Sequence, residues 1–186
     1  MKNLTPKTWL LGAALLAGLG SYGGAQILRL DLQQMVQMTD GAIYGEIVGK
    51  ETVRIDHPVD GPELYFTTLT IEGTRLENGK NTTVQVSFPG GFINADEGVY
   101  NSEAPEADTI AIGKHVVAFH VWSDNMGGDF ASNALCGSHG GIYPTFENTK
   151  GEIVVQGRGE GYAIPTNIRL GELTGAIRKF DAGQNR

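Results

Sequence analysis

Tyr65-Phe-Thr-Thr-Leu-Thr-Ile71, the turn Glu77-Asn-Gly-Lys80 and Thr83-Val-Gln-Val-Ser-Phe88 together decide the fold class. The first stretch is rich in β-branched and aromatic residues, with Tyr65, Thr67, Leu69 and Ile71 on one face, which predicts a strand. An Asn-Gly pair is the strongest short hairpin signal. In the third stretch Val84, Val86 and Phe88 point one way while Thr83, Gln85 and Ser87 point the other. Such alternation implies a sheet with one buried and one wet face.

Working outward, Ile43 to Val53 reads as an earlier strand in which Gly45 and Gly49 suggest a bend or bulge. Before it, Asp31-Leu-Gln-Gln-Met-Val-Gln-Met38 reads as a short helix: Asp31 caps it, Gln34 supplies the return bond of a capping box, and Leu32, Met35 and Val36 share a face. After Pro89-Gly-Gly91 comes a long acidic stretch to about Ala111 with little periodicity, read as a surface loop. Lys114 to Trp122 is the next strand; its faces, His115, Val117, Phe119, Val121 and Val116, Ala118, His120, Trp122, are both largely apolar, which places it centrally.

Ser123 to Gly141 is rich in Gly, Asn and Asp and reads as an irregular crossing. Ile142 to Phe146 and Glu152 to Gln156 flank Asn148-Thr-Lys-Gly151, a hairpin with Gly at the left-handed position. Leu170 to Phe180 forms a second helix with Leu170, Leu173, Ile177 and Phe180 on one side, and 181–186 is a polar tail. Five or six antiparallel strands bracketed by two short helices leave exposed edges unless the sheet closes. The expected architecture is a small OB-like antiparallel barrel, mainly β, with a two-sheet sandwich as the alternative.

The N-terminus carries a different signal. Lys2 and Lys7 precede the apolar run Trp9 to Leu19, and the small residues Gly23-Gly24-Ala25 follow, the pattern of a cleaved export signal. The apolar run is shorter than the roughly 20 residues a spanning helix needs. Removing 1–25 leaves 161 residues, expected to form a single domain over 26–180. That mature chain carries twelve basic and 21 acidic side chains, a formal net charge of −9 against −7 for the whole sequence. Few, scattered cations disfavour nucleic acid and anionic membrane surfaces as partners. Cys136 is the sole cysteine, so no intrachain disulfide forms. A secreted or periplasmic location is expected, with no membrane insertion once the signal is removed.

The order of elements resembles a group of mostly uncharacterised exported bacterial proteins with small OB-like barrels. Leu32-Gln-Gln-Met-Val-Gln-Met-Thr-Asp40 is similar to their capped helix, Val84-Gln-Val-Ser-Phe-Pro-Gly-Gly91 to their "V-x-V-x-x-P-G-G" strand, and Gly113-Lys-His-Val-Val-Ala-Phe119 to their "G-x-x-V-V-x-F". Leu170 to Ile177 is similar to their closing helix. The resemblance implies a fold and an exported habitat and carries over no catalytic residue.

Two constellations could carry chemistry. In Cys136-Gly-Ser-His139-Gly-Gly141 a thiol stands near a base and a glycine-rich loop, so a hydrolase would use Cys136 as nucleophile and His139 as base. The competing reading is an inert buried thiol. A metal-dependent enzyme would draw on His120 with His139 or Cys136, and on Asp124 and Asp129; His115 and His120 are five apart and face opposite ways on a strand. Asp124-Asn-Met-Gly-Gly-Asp129 lacks the spacing of a calcium loop and reads as a turn. Gly157-Arg-Gly-Glu-Gly161 is not followed by the helix N-terminus a phosphate cradle needs.

No separated acid–base pair emerges, and no cofactor is specified. The expected function is an exported, soluble binding or interaction module without catalysis, presenting loops Gly98 to Gly113 and Ser123 to Gly141 to a protein or small-molecule partner. The oligomeric state is left open.

Overall fold

A computed structural model describes residues 30–184; the export signal expected at 1–25 lies outside them. The element order is α1 (Leu32–Met38), β1 (Gly41–His57), β2 (Gly61–Arg75), β3 (Asn81–Pro89), β4 (Gly91–Asn94), β5 (Glu97–Val99), β6 (His115–Ser123), β7 (Ser132–Leu135), a 3-10 turn (Ser138–Gly141), β8 (Ile142–Glu147), β9 (Ile153–Val155), β10 (Ile168–Arg169) and α2 (Leu170–Gln184). No helix among the described residues is long and apolar enough to cross a membrane.

The quoted hairpin forms as read, with Leu69 opposite Val86 and Ile71 opposite Val84. Gly79 takes the left-handed conformation at φ 72°. On its other edge β2 pairs antiparallel with β1, and β1 pairs antiparallel with β6, Tyr44 facing Val117. β6 pairs antiparallel with β7, and β7 meets β3 in parallel at Ser87 and Ala134. The ring β1-β2-β3-β7-β6 is therefore closed, an OB-like five-stranded barrel with one parallel seam. Strands β8, β9 and β10 extend it beyond β6.

β6 separates two cores, which is why both its faces are apolar. Val116 and Ala118 face a barrel interior with Ile43, Leu69, Ile71 and Phe88. Val117 and Phe119 face an outer cluster that Met35 and Val36 of α1 and Leu173 and Ile177 of α2 complete. The capping box of α1 is present, Asp31 Oδ1 accepting from Gln34 N and Gln34 Oε1 from Asp31 N.

Three segments differ from the sequence reading. The acidic stretch holds a small hairpin, β4 and β5, with Gly91 opposite Val99. The irregular crossing contains β7, whose four residues owe their conformation to barrel closure rather than to propensity. The second helix runs past Phe180, since α2 extends to Gln184.

β1 and β2 are also longer than the barrel. Pairing of β1 with β6 ends at Glu46, its register with β2 shifts between Ile47 and Gly49, and the two strands continue as a ribbon to a tip at 58–60. Inside the barrel, Gly45 and Gly73 face each other so closely that a Cβ on Gly73 would stand 2.0 Å from the Tyr44 carbonyl oxygen. Only glycine permits that approach.

Candidate functional site

The ribbon positions a groove of about 490 Å³ over the end of β2. Its floor is strand: Tyr65 and Phe66 are buried, and Gly90 closes the end of β3. One wall is Val99, Tyr100 and Asn101, the other Met126 and Gly127. The loops expected from sequence to present a surface, Gly98 to Gly113 and Ser123 to Gly141, thus each supply one wall.

Hydrogen bonds fix both walls. Asn101 Nδ2 donates to the Pro89 carbonyl, and Asn101 Oδ1 accepts from Glu103 N. Across the groove Met126 N donates to the Phe130 carbonyl, Gly128 N donates to Asp60 Oδ2, and the Phe130 ring lies 5.0 Å from the Phe66 ring. His57 joins strand tip to loop. Its Nδ1 accepts from Val59 N and Asp60 N, so in the neutral ring Nε2 carries the proton, 3.3 Å from Asp129 Oδ2.

At the rim, Arg54 meets Asp56, Glu63 and Glu97 at 3.0, 3.5 and 3.8 Å. The Glu63 backbone N–H, and after it the Arg54 guanidinium, hold the Asp56 carboxyl below its ordinary range. Glu63 and Asp129 both take left-handed backbone, at φ 62° and 59°. Strain of this kind gathers at binding and switch regions.

Of the residues that could carry chemistry, Asp124 and Asp129 belong to the loop that forms one wall, whereas Cys136, His139 and His120 do not line the groove. Cys136 is buried, and burial pushes its thiol up, away from the thiolate a nucleophile needs. His139 Nδ1 lies 3.1 Å from the Glu103 carbonyl, which can only accept, so Nδ1 donates. In the neutral ring, Nε2 then accepts from the Tyr162 hydroxyl at 3.1 Å. Neither nitrogen is turned to Cys136. The glycines of this motif serve packing: a Cβ on Gly141 would stand 1.9 Å from the Cys136 carbonyl oxygen.

His120 is buried, its ring nitrogens have no hydrogen-bond partner among the described residues, and burial lowers its pKa. His115, by contrast, is exposed at the start of β6. Asp124 accepts from the Trp122 indole at 2.7 Å, and Asp129 is held by His57 and Asn125. Among the described residues no three His, Cys, Asp or Glu side chains are grouped to hold a metal ion.

A second cavity, about 560 Å³, lies between β6, β8 and the 156–162 segment. Lys114, His115 and Arg158 line it together with Glu106 and Asp108, so its charges are mixed. Arg158 is partly committed to structure, Nη1 donating to the His139 and Ile142 carbonyls.

Sequence reasoning missed Glu63, Leu64 and Phe66 as groove residues, and named the loops that hold Tyr100 and Met126 without singling out either residue. Phe66 did carry a signal: with Tyr65, Thr67, Leu69 and Ile71 facing inward, an aromatic ring stood on the outward face. Val99 and Tyr100 carried another, as large apolar residues in a polar stretch. No protein-family model matches the chain, and neither a curated protein nor a solved structure matches it significantly.

Proposed function

We propose that this chain is an exported binding module without catalytic activity, which holds its partner in the groove between residues 99–102 and 126–127. One observation carries the reading: two loops distant in sequence are pinned against the same strand end to form a groove with an aromatic floor. Concave, largely apolar sites with a few fixed polar groups are where ligands bind. The buried Cys136 thiol and the doubly engaged His139 ring favour structural roles for the residues a hydrolase would need. The basic start, apolar run and small-residue exit of residues 1–25 support the exported habitat.

Native mass spectrometry of the protein recovered from its own host tests the reading. The expected result is a mature chain starting near Gln26 that carries a bound species, and loss of that species in Tyr100→Ser. A species retained unchanged by Tyr100→Ser, or a bare chain in every preparation, overturns it.

A further inference from the structure

We infer that the groove docks a cationic polypeptide segment, one in which Lys or Arg residues flank a large apolar side chain. This rests on the binding reading above and names the chemistry of the partner. The argument begins with apolar surface. Tyr100 is 79% exposed and Val99 44%, and Phe92 and Ile93 of the same small hairpin are 55% and 46% exposed. A small molecule filling the groove would leave Phe92 and Ile93 in water. A polypeptide can seat one side chain in the groove and cover the hairpin beside it, the way aromatic and Met-lined pockets anchor protein partners.

Charge selects among polypeptides. Residues 54–63, 92–102 and 124–130, which build this end of the molecule, carry seven carboxylates and one cationic side chain, Arg54. That one cation already faces Asp56, Glu63 and Glu97. An anionic partner would find no uncommitted positive group here, whereas a Lys or Arg side chain would meet Glu63 in the groove lining and the carboxylates of the segments that supply its walls. A surface of one sign steers oppositely charged partners to it and repels like-charged ones. The same field turns away nucleic acid and anionic lipid. Because both walls are held by hydrogen bonds before any partner arrives, little ordering opposes association.

The test uses three dye-labelled peptides of equal length and the protein purified from its host. One peptide alternates Lys with Leu around a single Trp, one alternates Lys with Ser, and one alternates Glu with Leu. Fluorescence anisotropy is expected to show that the Lys/Leu peptide binds about tenfold or more tightly than either other peptide. Tyr100→Ser and Met126→Ser should each weaken it about tenfold, as for an anchor residue. Glu63→Gln should weaken it less, and 1 M salt, which shortens the screening length to about 3 Å, should weaken it further.

Equal binding of the Lys/Ser peptide reduces the surface to charge alone and overturns the inference. So does equal binding of the Glu/Leu peptide, or unchanged affinity in both serine variants with unaltered melting curves. A bound species that depends on Tyr100 in native mass spectrometry but is not displaced by the Lys/Leu peptide overturns the cationic partner and leaves the binding reading standing. Absence of both signals removes both.

Discussion

Within the barrel β1 has hydrogen-bonded neighbours on two edges, whereas from Gly49 outward it has β2 alone. The contrast extends to side chains: Ile43, Ile47, Leu69 and Ile71 in the barrel are wholly buried, while Val59 at the ribbon tip is 85% exposed. One hairpin thus serves two physical purposes. Its inner half is held by hydrophobic burial, which tolerates little change, and its outer half by ion pairs and loop contacts in water, each worth little alone. Stability should concentrate at one end of the molecule and recognition at the other.

The largest expected effect comes from the close approach inside the barrel. Gly73→Ala would force a Cβ against the Tyr44 carbonyl, and displacing backbone in a closed barrel should cost about 3 kcal/mol or more. Urea denaturation reads this; an unfolding midpoint like that of the unaltered protein would mean that the ring yields where it looks rigid. Next, Leu69→Ala in the interior should lose about 2–5 kcal/mol by the same measurement.

A pH effect follows, and its sign can be worked out. Burial lowers the folded-state pKa of His120, with Arg75 adding to the shift and Asp40 opposing it. The unfolded chain therefore binds the proton more readily than the folded one. Stability should fall as pH drops below about 6.5, the ordinary His value, and level off once the folded pKa is passed. Urea midpoints at pH 7.5 and 5 should differ less in His120→Gln than in the unaltered protein; an identical pH response would assign the effect to other groups.

At the outer end, Phe130→Ala should free the 124–130 loop by removing its contact with Phe66. Hydrogen exchange should quicken at Met126 and Gly128 with no change at β6, and exchange that quickens in both places would merge the two regions into one cooperative unit. The smallest stability effect is expected for Tyr100→Ala, within about 0.5 kcal/mol because the ring lies mostly in water. A large loss there would make Tyr100 part of the fold rather than of a recognition surface.

What could be read in the sequence follows the range of the interactions involved. The capping box of α1 spans four residues and the Asn78-Gly79 turn two, so each is written locally and each appears where expected. β6 announced its central place because two separate cores claim its alternate residues. β7 did not announce itself: Ser132 and Asn133 have no strand periodicity, and their conformation comes from β6 on one side and β3 on the other. The groove was harder still. Phe66, Tyr100 and Met126 come from three segments that only the closed ring brings together. Cys136 and His139, three positions apart in sequence and suggestive for that reason, turn to different surroundings.

The register shift at Val48 carries one more consequence, for how such a chain can change over generations. Side chains on a strand alternate with a period of two, so paired insertions in the ribbon would carry the tip outward without turning any inward residue out. The shift marks where that freedom starts: on its inner side length is set by closure of the ring, and on its outer side length is open to selection. Reach, and with it the choice of what is grasped, can then drift while the barrel that carries it stays the same.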